Sequence, residues 1–480
     1  MEPIGSTVKK SMIWVFMERF GTKGVQFLLQ LILARILVPE DYGLCALLLA
    51  FINIATVFID SGLPSALIQK KDCNSLDFSS VFWVSLLIAV LAYIALLFGA
   101  DGIASFFNNE KLAPGLRVIS IMLLLGVFNS VQLAFMKKKM QFKKQFKANI
   151  SGVIVSAIVS VILALRGFGV WAIIYQYIIN RVVVTLVLSY YVRWFPRWEF
   201  SLERLKGLFS FGWKCMATSF LSTVVTDIYT TVVGKFFTKS QLGVYDTGNR
   251  IPATVSETFT SSLGVVLFPA FSLLQDNRGA LKGYVQKSNR ISTFLMFPLM
   301  FGLAAAADSL VRLVLTDKWA GAVVFLQIAC FLYAFYPLHI ANIQAINGLG
   351  RSDIALKNEF MKKVVDLSFL ALMVHFGLIW VALGRALTSV ISLWINMRPN
   401  KRMLNYSTHE QLADILPSLV IAVITAAVMY FLHVYFHFVP VLMLLVQCVA
   451  GLVVYAGLSY AFNRSTLRMV IQSILKKNGH

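Results

Sequence analysis

Charge is scarce in this chain, and acidic charge is scarcer still. Only 14% of its 480 residues are Asp, Glu, Lys or Arg, against about one quarter in a soluble domain. Acidic residues number 22 against 43 Lys and Arg. Cysteine is sparse too: the five residues Cys45, Cys73, Cys215, Cys330 and Cys448 form no CxxC pair, so no metal or redox centre is expected. Long polar stretches are missing, which leaves no room for a soluble domain. The first apolar run is too long for a cleavable signal and has no small-residue cleavage site.

What remains is hydrophobic: 58% of the residues, in runs of about 20 that recur along the whole length. Barrel strands would alternate and run about 10 residues. The fold class is therefore all-α and polytopic, with fourteen transmembrane helices expected. The least apolar is the eighth, "VYDTGNRIPATVSETFTSSLGVVLF".

Most basic residues fall in alternate gaps: Lys70/Lys71, "KKKMQFKKQFK" (Lys137 to Lys147), Arg193 to Lys206, Arg278 to Arg290, Arg351 to Lys363, and Arg398 to Arg402. The positive-inside rule then puts both termini in the cytoplasm and calls for an even number of spans. The net charge of +21 reads as topology and contact with anionic lipid, not as nucleic-acid binding.

"LARILVPEDYGL" and "VGKFFTKSQLGV" align at an offset of 200 positions, Arg35 with Lys235 and Gly43 with Gly243. Six spans precede the second copy, so the halves keep one orientation. The expectation is two six-helix lobes about a pseudo-two-fold along the membrane normal, residues 1–200 and 201–400. Residues 401–480 add two further spans and a basic tail.

The first span holds Glu18, Arg19 and Lys23. Starting it after Lys23 leaves too few residues to cross a bilayer, so Arg19 and Lys23 lie at membrane depth, where a central charge costs on the order of 2.5–3.5 kcal/mol. Arg19, Lys23, Gln26 and Gln30 step by four, three and four, one helical face lining a watery cavity. Similar stripes run through Asn53, Thr56 and Asp60, through Lys214, Thr218 and Ser222, through Asp246, Arg250 and Glu257, and through Arg385, Ser389 and Asn396. Arg181 and Asp366 are isolated. Pairs such as Asp246–Arg250 fit a structural role. The lobe-opening stripes are basic, which suits an anion, phosphate above all. Pro269, Pro298 and Pro337 are expected to interrupt helices, as kinks or as hinges for alternating access. His339, His433 and His437 are expected near span ends.

"ILARILVPEDYGL", "DSGLPSALIQKKD", "VLFPAFSLLQDN" and "LTDKWAGAVVFLQI" resemble the bacterial polysaccharide transporter family. That family sits within the multidrug/oligosaccharidyl-lipid/polysaccharide exporter superfamily, and the chain is most similar to the colanic acid and teichuronic acid exporter branch. The resemblance implies a flippase of the bacterial inner membrane. It would carry undecaprenyl-pyrophosphate-linked oligosaccharide by alternating access, for exopolysaccharide, O-antigen or capsule assembly, with no cofactor and no catalytic residue. Polysaccharide polymerase machinery is a further partner such a role would admit.

On this expectation Arg19, Lys23, Lys214, Arg250 and Arg385 hold phosphates, while Gln26, Gln30, Asn53 and Asn396 bond sugar hydroxyls. Asp60, Asp227, Glu257 or Asp366 would take a coupling ion, and the residues do not choose among them. The alternative is a drug or metabolite exporter of the same superfamily, whose cavity would want acidic and aromatic residues. A membrane glycosyltransferase would need a sizeable external loop with carboxylates, and the external gaps are short.

Overall fold

The computed structural model describes residues 21–475 except Ser61, Lys71, Asp72, Met140 and His437. Glu18 and Arg19 lie outside the described residues, and so do the side chains of Lys214 and Thr218. The described chain is helical throughout, as a hydrocarbon solvent requires: a span must satisfy its own N–H and C=O groups. It divides into two compact units, residues 1–243 and 244–480.

In the first unit α1 (Lys23–Ile36) ends where Leu37 turns extended, and Val38, the residue directly before Pro39, stays out of helix as such positions prefer. α2 (Pro39–Asp60) opens on Glu40 and Asp41, carboxylates that suit a helix N-terminus. α3 (Leu63–Gln69) follows after Gly62. α4 (Ser75–Phe106) starts in a capping box, Asn74 and Asp77 bonding each other's backbone N–H. α5 (Leu112–Ile119) and α6 (Ile121–Lys138) form one long rod, followed by α7 (Phe142–Leu165) and α8 (Val170–Val192). α9 (Leu202–Phe236) packs on α2 and α3, and α1 on α7.

The linker into α9 is fixed on the first turns of α4. Ser79 Oγ accepts from the Arg197 N–H, Ser80 Oγ accepts from the Ser201 N–H, and Trp83 donates to the Arg197 carbonyl.

α10 (Lys239–Ser272) begins in this unit, and its first turn crosses α2 at a pair of glycines. A Cβ on Gly43 would lie 1.9 Å from the Lys239 carbonyl oxygen, and one on Gly243 would lie 1.8 Å from that of Pro39. The contact is reciprocal under the 200-residue offset, Pro39 answering to Lys239 and Gly43 to Gly243. Only glycine lets two helix backbones approach this closely.

The second unit holds α11 (Arg278–Ala305), α12 (Ala307–Val314), α13 (Ala322–Ala334), α14 (Tyr336–Gly348), α15 (Ser352–Met373), α16 (Leu378–Leu404), α17 (Thr408–Tyr435), α18 (Pro440–Phe462) and α19 (Arg464–Leu475). α17 is tied to α11 by Arg290–Asp414 at 2.5 Å, and Tyr406 donates to the same carboxylate at 2.6 Å.

Ten helices among the described residues are long and apolar enough to span a membrane, and the pair α11/α12, bent by 65°, makes an eleventh. The eighth expected span is among them as α10. α1, α9 and α15 are helical but fall outside that set. α15, for one, carries Lys357, Glu359, Lys362, Lys363 and Asp366. The chain is a multi-pass helical membrane protein.

Pro337 stands in the first turn of α14, directly after the helix break at Phe335; Pro298 lies inside the continuous α11, and a bend of 65° comes eight residues later at Ala306, between α11 and α12. One expectation needs correction. His339 is not near a span end. It lies deep in the stretch Ala322–Gly348, where one ring nitrogen meets the Asn396 amide at 3.2 Å.

Candidate functional site

The first unit encloses a polar cavity of about 230 Å³ at the depth of apolar helices. α1 contributes Gln26, α2 contributes Asn53 and Thr56, and α8 contributes Gln176, Asn180 and Arg181. Two residues expected from helical faces, Gln26 and Asn53, therefore meet in one space, with a cation supplied by the third helix. Below it Asp60 faces Arg181 at 4.0 Å, both side chains about one-third accessible.

Arg181 is placed from behind. Thr185 donates to the Arg181 carbonyl at 2.7 Å, and the Asn129 amide of α6 donates to the same carbonyl at 3.4 Å. Lys23 lies on the described start of α1, one turn before Gln26, and is half-buried. Gln30 lies a turn further on, where its carbonyl accepts from the Tyr42 hydroxyl at 3.0 Å.

The second unit gathers a different set. On α10, Arg250 and Asp246 pair at 2.5 Å, the i,i+4 bridge the sequence spacing suggests. Arg385 of α16 donates to the Tyr245 hydroxyl at 3.4 Å. Tyr333 lies within electrostatic reach of Arg385, Glu257 and Asp246, and Tyr336 within reach of Arg385 and Asp366. Asp366 accepts from Thr388 at 2.7 Å, which joins α15 to α16. Arg250, Glu257, Arg385 and Asp366 thus belong to one neighbourhood lined with tyrosine hydroxyls.

Asn396 stands apart from that neighbourhood. It is 1% exposed, with its amide turned to His339, so it has little surface to offer a ligand. Asp227 is half-buried on α9 in the first unit. Arg19 and Lys214 fall outside what is described.

Two groups of site residues are not evident from the charges alone. Gln176, Tyr177, Asn180 and Arg181 all border the first cavity. Gln176 and Asn180, like Tyr177 and Arg181, are spaced i,i+4, a signal present in the sequence but overshadowed by the isolated arginine. The tyrosines around Arg385 carry no periodic signature, since tyrosine suits a membrane interface as well as a cavity.

No group of three or more His, Cys, Asp or Glu among the described residues could hold a metal ion.

Comparison with known proteins bears on this arrangement. The chain is 26% identical to the succinoglycan biosynthesis transport protein ExoT of Rhizobium meliloti over 476 residues, covering 97% of this chain and 95% of the relative. It is 23% identical to the teichuronic acid biosynthesis protein TuaB of Bacillus subtilis over 348 residues, 71% of each. Among solved structures, the lipid II flippase MurJ in an inward closed conformation superposes with a TM-score of 0.78 at 16% identity, covering 95% of this chain and 99% of that one. That likeness gives the fold. The profile of a family described as polysaccharide biosynthesis protein matches residues 32–324, well over half of the sequence, and the chain belongs to that family.

Proposed function

We propose that the protein is a flippase that moves lipid-linked oligosaccharide units across the bacterial inner membrane for surface polysaccharide assembly. The observation that carries this reading is the 230 Å³ cavity, where Gln26, Asn53, Asn180 and Arg181 converge inside an apolar bundle. Amide groups at that depth are costly against lipid and useful against sugar hydroxyls, and an arginine there matches phosphate oxygens. The names of the relatives, succinoglycan transport and teichuronic acid biosynthesis, support the same substrate class.

In this reading the sugar-pyrophosphate headgroup enters from the cytoplasmic side while its lipid tail stays in the hydrocarbon. Arg19, Lys23, Lys214, Arg250 and Arg385 supply cationic donors. Gln26, Gln30 and Asn53 bond hydroxyls, and Gln176 and Asn180 join them. Asn396 serves the interior of the second unit through His339 instead. Asp60, Asp227, Glu257 and Asp366 are the carboxylates open to a coupling cation.

Fourteen spans follow if α1, α9 and α15 are added to the ten apolar helices and the bent pair. The reciprocal glycine contact at Gly43 and Gly243 supports two related halves, residues 1–200 and 201–400, with 401–480 appended. Both termini then face the cytoplasm, where the basic gaps lie. Drug export is less suited to this chain, because the polar stripe of α1 is cationic and amidic.

The test is complementation of a strain lacking its own flippase. Lys23→Ala, Arg181→Ala and Asn53→Ala should each reduce surface polysaccharide at unchanged protein level. Wild-type polysaccharide from all three would refute the assignment.

A further inference from the structure

α15 and α16 are joined through a short turn at Val374–Gly377, so they run antiparallel, and the start of α15 lies beside the end of α16. A pocket of about 700 Å³ opens between those two ends. Its lining is unusually cationic: Arg278, Arg351, Lys357, Arg398 and Arg402, with Trp394 on the wall. Arg351 is already neutralised, its guanidinium bonded to Asp353 at 2.8 Å. Among the described residues no carboxylate pairs with Arg278, Lys357, Arg398 or Arg402. Like charges gathered in one concavity repel one another unless a counter-ion joins them.

The membrane side of the pocket differs in kind. Leu387, Val390 and Trp394 follow one face of α16, are 51%, 40% and 50% exposed, and run up to the pocket wall at Trp394. The Arg398 guanidinium lies 5.2 Å from the centre of the Trp394 ring, so the cationic and apolar parts meet at that pair. Tryptophan at such a junction marks the level of lipid headgroups. A soluble phosphate would use the basic end and leave the apolar strip idle. A molecule with phosphate at one end and hydrocarbon at the other uses both.

We propose that this pocket binds the headgroup of an anionic membrane phospholipid, with its acyl chains along the α16 face of Leu387, Val390 and Trp394. A headgroup with two phosphates, as in cardiolipin, matches four uncompensated cations best. Basic pockets between transmembrane helices at the cytoplasmic surface recognise such headgroups. The site is separate from the polar cavities above and does not depend on what the protein carries.

The experiment is native mass spectrometry of the full-length protein in detergent, titrated with cardiolipin, with phosphatidylcholine and with inorganic pyrophosphate. Cardiolipin should bind with defined stoichiometry, and Arg398→Gln/Arg402→Gln should weaken it about tenfold or more, since each tenfold loss is the scale of one good charged contact. Leu387→Gln/Val390→Gln should weaken it too while leaving the cations intact. Lys287→Gln, an exposed cation elsewhere in the unit, should leave binding unchanged. Equal binding of phosphatidylcholine would overturn the proposal, and so would retention of cardiolipin by the arginine variant. Displacement by pyrophosphate alone at equal concentration would identify the ligand as a soluble phosphate and overturn it as well.

Discussion

Replacing Gly43 by alanine tests the tightest contact in the first unit. The new Cβ would stand 1.9 Å from the Lys239 carbonyl oxygen and 2.9 Å from its carbonyl carbon. Side-chain carbons essentially never lie within 3.0 Å of another heavy atom, so α2 and the first turn of α10 must part by more than 1 Å. The obstacle is backbone on both sides, with no flexible side chain to yield. Overpacking of this sort costs about 3 kcal/mol, the upper part of the usual range, and for a unit of this size lowers the melting temperature by roughly 6–12 °C. Gly243→Ala makes the reciprocal clash, 1.8 Å from the Pro39 carbonyl oxygen, and should cost as much. The double variant is the sharper test. One Cβ already forces the helices apart, so the second enters a gap that exists, and the double should cost little more than either single change. Gly99→Ala is the control: nothing lies within 4 Å of its Cβ, and alanine's better helix propensity should raise stability by up to about 1 kcal/mol. Thermal unfolding in detergent, followed by tryptophan fluorescence, reads all four. Unchanged melting for Gly43→Ala, or fully additive losses in the double, would refute the account of a shared crossing point.

Burial pushes the Cys73 thiol up to about 11, more than the neighbouring Lys138 and Lys70 offset. A thiol with a raised value is protonated at neutral pH, and only the thiolate reacts. Iodoacetamide labelling of Cys73, followed by peptide mass spectrometry, should be slow at pH 7.5 and rise about tenfold per unit up to pH 10. In denatured protein the rate should level off near the ordinary thiol value, about 8.5. Tyr406→Phe removes the 2.6 Å bond to Asp414 and leaves a carboxylate facing Arg290 alone, which should lower stability by about 1–3 kcal/mol in a denaturant titration. Asn396→Ala should lower stability through His339 while leaving polysaccharide export per folded molecule near wild type. A selective export defect at normal stability would instead restore Asn396 to the substrate path.

Much of the architecture is legible in the residues, for a physical reason. Hydrocarbon admits only closed barrels and helices of a set length, so long unbroken apolar runs report helical spans directly. The polar stripe of α1 was readable because Lys23, Gln26 and Gln30 repeat at helical spacing, and Gln26 does line a cavity. Asn396 has the same kind of spacing with Arg385 and Ser389 yet is turned inward to a histidine. Periodicity identifies a face, and it does not say what that face meets. Prolines divide in the same way. Pro337 opens α14 straight after the break at Phe335, whereas Pro298 lies inside the continuous α11 and the sharp bend falls at Ala306, where no residue announces it.

The sequence by itself determined that this is a helical membrane protein, because that follows from transfer energies residue by residue, and its motifs carry the family resemblance. It also carried the 200-position echo of Gly43 in Gly243. Only the tertiary structure decided that those two glycines touch, that Arg181 rather than Lys23 shares a cavity with Gln26 and Asn53, and that five cations from separate segments surround one pocket. Those facts depend on which helices become neighbours, a property of packing that no single stretch of chain contains.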